Sequence, residues 1–247
     1  MQTMIRRSDE RGHADHGWLN SYHSFSFASF YEPGMMNFGL LRVLNDDTVE
    51  AGMGFGKHGH KNMEIISLVL KGVLSHRDSM GNVHSLFPNE VQIMSAGSGI
   101  EHSEFNGSEE DKAAFLQIWI FPKEENIKPR YGQKKFDEAD RHNRIQFLVS
   151  PDEQGGSLSI HQDAWISRLS AEENVEQTYD LHSSENGLFI FVIEGEIGTS
   201  GETLAKRDAM GIWDAGNVVF RSNSRSDVLL IEVPMQVTWS PVRAILN

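Results

Sequence analysis

The chain has no cysteine. That excludes disulfides, a thiolate nucleophile, iron–sulfur clusters and cysteine-held zinc. Positive charge is in short supply: 22 Lys and Arg face 35 Asp and Glu, a formal net charge of -13. A surface of that sign does not track nucleic-acid phosphates or dock on anionic lipid, so neither is expected as a direct partner. Long apolar runs are missing, since none approaches the roughly 18 residues of a membrane helix. Arg6 and Arg7 near the start are followed by no apolar run, so Met1–Gly12 does not read as a secretory signal. The expected location is the cytoplasm. The remaining composition, 39% hydrophobic and 23% charged, is that of an ordinary globular protein. Any metal held here takes nitrogen and oxygen ligands.

What is present is a series of short apolar runs, many of them β-branched or aromatic: 65–70, 91–94, 115–121, 145–149, 188–193, 218–220 and 228–233. They are too short for most helices and are bounded by Gly, Asn, Asp, Ser or Pro. The pattern predicts an all-β fold of sandwich or barrel type. The one helical candidate is the short polar stretch around Lys134–His142. Residues 122–133 hold two prolines and five charges and read as a linker between halves of similar size. The expected division is an N-terminal domain at 1–127, a linker at 128–144 and a C-terminal domain at 145–247.

The halves resemble each other. An apolar run, Gly72, a turn and a second run ending at Ala96-Gly97 recur as an apolar run, Gly195, a turn and Ala215-Gly216. The Gly-to-Gly spacing is 25 in the first and 21 in the second. This reads as a duplicated β unit.

Eight of the eleven histidines lie within the first 102 residues. His58-Gly59-His60 puts two imidazoles on one face of a strand, and His102-Ser103-Glu104 does the same with an imidazole and a carboxylate. If the two strands are neighbours, four ligands converge: His58, His60, His102 and Glu104. Three neutral imidazoles and one carboxylate would leave a divalent cation at net +1 with two octahedral positions open, a catalytic rather than a structural layout. Paired surface histidines are the bland alternative for His58-x-His60 alone. The same offsets in the second half fall on Leu181 and Ser183, and on Arg221 and Asn223, so no ligand set recurs there.

Gly52, His58, His60, Glu64 and Gly72 follow the first cupin motif with one extra residue before the last glycine. Gly97, His102 and Asn106 follow the second, with Ser95 where cupins often have Pro and Asn89 where they often have Gly. From Arg11 to about Pro234 the chain resembles the pirin family, and within it the bacterial pirin-like quercetinases. The segments that carry this include Arg11–Leu19, His23–Phe27, Leu41–Asp47, Met94–Glu104, Gln117–Trp119, Pro129–Tyr131 and His161–Asp163. The resemblance implies a bicupin with metal in the N-terminal domain only, bound by His58, His60, His102 and Glu104. It implies a dioxygenase that opens the heterocyclic ring of a flavonol such as quercetin with O2, releasing carbon monoxide, with Glu104 as general base. It implies Fe(II), although the donor set also admits Mn, Ni, Co, Cu or Zn. It further implies a monomer. Glu64 takes the place of a metal ligand in germin-like cupins that is usually not one in pirins. The alternative role is that of a metal- or redox-sensing regulator working through protein contacts.

Other residues have plainer readings. His13, His16 and His23 are expected to pin the N-terminal segment, and His76 and His84 to face solvent around the Ser79–Asn82 turn. His142, His161 and His182 have no partner at ligand spacing. Phe115, Gln117 and Trp119 share a strand face that either lines an aromatic-substrate pocket or packs the core. Met35, Met36, Met53, Met63 and Met94 suit an adaptable pocket or simple gap filling. Gly52-x-Gly54-x-Gly56 lacks nucleotide-loop spacing and suits a close backbone approach before the His58 strand.

Overall fold

Alternation of buried and exposed residues organises nearly every element. In Ile100–Asn106 the odd-placed Ile100, His102, Glu104 and Asn106 are buried, and Glu101 and Phe105 are exposed. A computed structural model describes residues 1–236. The first half contains β1 (Gln2–Arg6), β2 (Gly12–Asp15), β3 (Leu19–His23), β4 (Leu41–Val49), β5 (Gly54–His60), β6 (Glu64–Lys71), β7 (Leu74–Asp78), β8 (Val83–Leu86), β9 (Glu90–Ser95), β10 (Ile100–Asn106), β11 (Ala113–Ile120) and β12 (Arg130–Lys135). The second contains β13 (Gln146–Ser150), β14 (Leu158–Ser159), β15 (Trp165–Ala171), β16 (Glu176–Asp180), β17 (Asn186–Glu194), β18 (Glu196–Thr199), β19 (Glu202–Ala205), β20 (Ala209–Trp213), β21 (Asn217–Ser222) and β22 (Ser226–Pro234). The helical elements among the described residues are short 3-10 turns. The fold is an all-β bicupin.

Each half pairs a seven-stranded sheet with a four-stranded one. In the first, the order is β12-β9-β6-β11-β4-β3-β2 beside β5-β10-β7-β8. In the second, it is β1-β20-β17-β22-β15-β13-β14 beside β16-β21-β18-β19. The orders correspond strand for strand, and Gly72 and Gly195 take equivalent positive-φ positions, at 76° and 84°. Matching Leu74↔Asn106 with Ile197↔Ser222 makes Val218 and Phe220 the equivalents of His102 and Glu104. The offsets counted along the sequence pointed three residues further on, to Arg221 and Asn223, because the turns of the two copies differ in length. Both equivalents are buried and apolar.

Two strands depart from the division expected from sequence. Residues 2–6 leave the first half and pair with β20 at the edge of the second sheet. Residues 130–135, expected in the linker, pair with β9 as the edge of the first. The helix expected around Lys134–His142 reduces to one 3-10 turn, Glu138–Arg141, because β12 consumes its start. Residues 237–247 of the expected C-terminal domain lie outside the described residues. One apolar core runs through both halves, joining Phe25, Ile66 and Ile118 to Phe189, Phe191 and Ile231. At its rim, Asp46 accepts from Arg11 at 3.2 Å and forms an ion pair with Arg207 at 3.0 Å, tying the halves together.

Candidate metal centre

Antiparallel pairing of β5 with β10 sets His58 directly opposite His102 and His60 opposite Ile100. Gly54 makes this possible: a Cβ there would lie 2.3 Å from the Glu104 carbonyl oxygen. The ring nitrogens of His58, His60 and His102 come within 4.8 Å of one another. The Nε2 atoms of His58 and His102 are 3.0 Å apart. His58 Nδ1 lies 2.8 Å from the Gly56 carbonyl, so it carries the hydrogen and leaves Nε2 with its lone pair. Burial pushes His60 and His102 down to about 3, helped by the neighbouring imidazoles. Neutral imidazoles whose nitrogens converge in a buried place form a donor set that fits a divalent cation.

Glu104 sits deeper. Its Oε2 accepts from Gln117 Nε2 at 2.8 Å, and its Oε1 from Gln92 Nε2 at 3.3 Å and Ser67 Oγ at 3.2 Å. These neutral donors draw it to the floor of the barrel, where it groups with His102 and His76 rather than with all three clustered imidazoles. The floor follows from strand register. His23, Asn45, Gln117, Ser67 and Gln92 stand directly opposite one another across β3, β4, β11, β6 and β9, a polar row along one barrel interior.

His76 does not face solvent as expected. It is buried, since β7 pairs with β10 and sets His76 opposite Glu104 and Asp78 opposite His102. His76 Nε2 lies 3.2 Å from Asp78 Oδ2. Burial alone would raise Asp78, but hydrogen bonds from Asn82, His76 and the Met80 N–H outweigh it and hold the carboxyl below its usual range. The i, i+2 spacing of His76 and Asp78 was the available signal, the same one that marks His58 and His60. His84 is exposed and stacks on Tyr131.

The three imidazoles and Glu104 form one side of a cavity of about 600 Å³, with Trp18, Phe27, Phe55 and Trp119 as aromatic walls. Gln117 and Trp119 line it, whereas Phe115 from the same strand face packs with Leu19, Val49 and Leu74. Met35, Met63 and Met94 fill the core and Met53 is exposed, the gap-filling reading for three of the five. Glu64 is fully buried away from the imidazole cluster, accepting from Ser95 Oγ at 2.9 Å and the His161 N–H at 3.3 Å. Of the N-terminal histidines, His23 is buried against Ser21, His13 stacks on Tyr22, and His16 borders the cavity. In the second half, the buried Glu232 carboxylate accepts from Tyr179, Asn186 and the His182 N–H, with His182 Nδ1 2.7 Å away. That set is closed by its own hydrogen bonds.

A doubled cupin fold whose described residues gather three imidazoles beside an aromatic cavity defines a bicupin with a candidate metal site. The family comparisons narrow this. Residues 4–120 match the Pirin model and 147–233 match that of the quercetinase C-terminal cupin domain. The chain is 44% identical over 230 residues to quercetin 2,3-dioxygenase of Escherichia coli, covering 93% of this chain and 98% of that one. It is 37% identical over 225 residues to a pirin-like protein of Caulobacter vibrioides, covering 91% and 96%. The bacterial pirin YhhW of E. coli in complex with nickel(II) superposes with a TM-score of 0.90 at 42% identity, over 94% of this chain and 99% of that one. The chain belongs to the pirin family.

Proposed function

We propose that this protein is a quercetin 2,3-dioxygenase, a metal-dependent oxidoreductase that cleaves flavonols with O2. The observation that carries it is the convergence of His58, His60 and His102 beside Glu104 at the wall of an aromatic-lined cavity. In this reading those four residues hold one divalent metal, with Fe(II) as the working ion. A relative that carries nickel(II) and the nitrogen and oxygen donors here support a divalent cation of this group. The metal, when bound, supplies a Lewis acid for the 3-hydroxy-4-keto unit of the flavonol and a partner for O2.

The protein groups do the rest. His58, oriented by the Gly56 carbonyl, and His60, packed edge-on against Trp119 at 5.0 Å, hold the ion in fixed geometry. Trp18, Phe27, Phe55 and Trp119 take the flat rings of the substrate and keep water from them. Glu104 receives the proton of the 3-hydroxyl, and the donors of Gln117, Gln92 and Ser67 fix where it points. The second half, with Val218 and Phe220 at the equivalent positions, serves as a metal-free structural domain. This assigns catalysis to the domain ending near residue 127.

The test is an O2-uptake assay with quercetin on protein loaded with Fe(II), never exposed to a nickel column. Consumption of O2 with loss of quercetin absorbance is expected. Loaded protein that does neither overturns the reading. Glu104→Gln is expected to keep most of the metal and lower kcat by roughly 100-fold or more, whereas His60→Ala is expected to lose the metal, as measured by elemental analysis.

A further inference from the structure

The cavity has a second polar wall that the chemistry above leaves unused. Asp47 on β4 stands opposite Ser21 on β3, and both line the cavity together with His23. All three are buried, at 4%, 3% and 2% exposure. The Ser21 hydroxyl donates to Asp47 Oδ1, and His23 Nε2 lies 2.9 Å from the same Ser21 oxygen. Serine has one hydrogen to give, so once it goes to Asp47, His23 Nε2 is the donor to Ser21. His23 Nδ1 is then a bare acceptor, and no group bonds to it. Asp47 Oδ2 likewise has no hydrogen-bond partner among the described residues.

This wall is rich in acceptors and poor in donors. A buried carboxylate with one hydrogen bond is short of the two or three donors it needs. Burial accordingly pushes the Asp47 carboxyl up to about 7, with the charges of Asp46 and Glu104 adding and the Ser21 hydrogen bond opposing. Burial also pushes His23 down to about 4, so no imidazolium is there to pair with it. What the wall lacks is a hydroxyl hydrogen from outside. The aromatic sides, Trp18, Phe27, Phe55 and Trp119, define the shape of the molecule that brings it.

We propose that Asp47, held by Ser21 and backed by His23, is a specificity-determining residue that accepts a hydrogen bond from a ring hydroxyl of a planar polyphenol whose other end lies at the three imidazoles. The proposal rests on the dioxygenase reading for the class of substrate and adds how that substrate is selected. The cavity then discriminates by hydroxylation: a ring system with a hydroxyl beyond its metal-binding unit is held at both ends, and one without it is held at one.

Two flavonols separate the possibilities. Quercetin carries hydroxyls on both ring systems, whereas 3-hydroxyflavone has only the 3-hydroxyl of the metal-binding unit. Anaerobic titration of metal-loaded protein, read by tryptophan fluorescence, gives Kd for each without turnover. Wild type is expected to bind quercetin about tenfold more tightly than 3-hydroxyflavone, the upper range of one ordinary hydrogen bond. Asp47→Asn, of equal volume, is expected to erase most of that preference while 3-hydroxyflavone binding and metal content stay within about twofold. Ser21→Ala, a small truncation that tests the same cluster should Asp47→Asn not fold, is expected to reduce the preference in part. Equal losses for both flavonols, an undiminished preference in the variants, or wild type that binds neither would overturn the proposal. Quercetin bound with this selectivity but not consumed once O2 is admitted would sink the dioxygenase reading and leave the hydroxyl-reading wall standing.

Discussion

The residues whose grouping was legible in the sequence are those whose neighbours sit at i and i+2. His58, His60, His102 and Glu104 could be picked out because one strand face carries both members of each pair. Asp47 and Ser21 could not, and Gln117 could be set on a possible pocket face but not against Glu104, because these partners lie across strands and only register brings them together. His76 was misread as a turn residue although Asp78 sits at i+2, because its burial comes from the pairing of β7 with β10. Glu64 makes a sharp test of burial. It is pushed from its ordinary 4.5 up to about 7, mainly by burial, against the opposing hydrogen bonds of Ser95 and the His161 N–H. A carboxyl with a raised folded value loses stability as pH rises: the unfolded chain ionises above about 4.5, the folded one only near 7. The expected cost on reaching pH 8 is about 3 kcal/mol. Glu64→Gln removes that ionisation. Its melting temperature relative to wild type is therefore expected to rise between pH 5 and pH 8, as measured by thermal denaturation of the metal-free protein. A constant difference across that range would place Glu64 in a better-solvated setting than its full burial implies.

At the scale of elements, apolar runs bounded by turn residues located strands correctly throughout, including β6, β9, β11, β17 and β22. What the runs could not reveal was which strand each edge would join, because pairing partners are chosen by topology and not by local pattern. The glycine series before the His58 strand was readable as a close approach, and the structure narrows it to one position. At Gly54 a Cβ would meet the β10 backbone at 2.3 Å, whereas at Gly56 it would meet nothing within 4 Å. Gly54→Ala is expected to pry β5 from β10, costing about 1–3 kcal/mol and weakening metal binding by separating His58 from His102. Gly56→Ala is expected to be neutral or slightly stabilising. Denaturant melts and metal titrations on the two variants check this, and similar behaviour of both would remove the close approach as the reason for the glycine.

For the whole molecule, the duplication was visible as a repeated order of runs and glycines, and the loss of ligands from the second copy was visible too, though three residues out of register. The exchange of edge strands was not. β1 closes the second sheet through five paired positions, Gln2↔Trp213 to Arg6↔Ala209, and Arg7 continues the attachment to Asp208 at 3.0 Å. Removal of residues 1–6 is therefore expected to bare the edge of β20, lower the melting temperature by roughly 5–10 °C and promote self-association. Metal content should be unchanged, because the imidazole cluster belongs to the other half. Calorimetry and size-exclusion chromatography read both effects, and an unshifted melting point would show that β1 contributes little. The same strand has a consequence in time. Its partner lies about two hundred residues along the chain, so at ordinary rates of synthesis β1 leaves the ribosome roughly 10–40 s before there is anything for it to pair with. The first barrel can close in that interval, since β12 is made soon after β11, while a finished strand waits unpaired beside it. One of the earliest strands to be made is thus among the last to be placed.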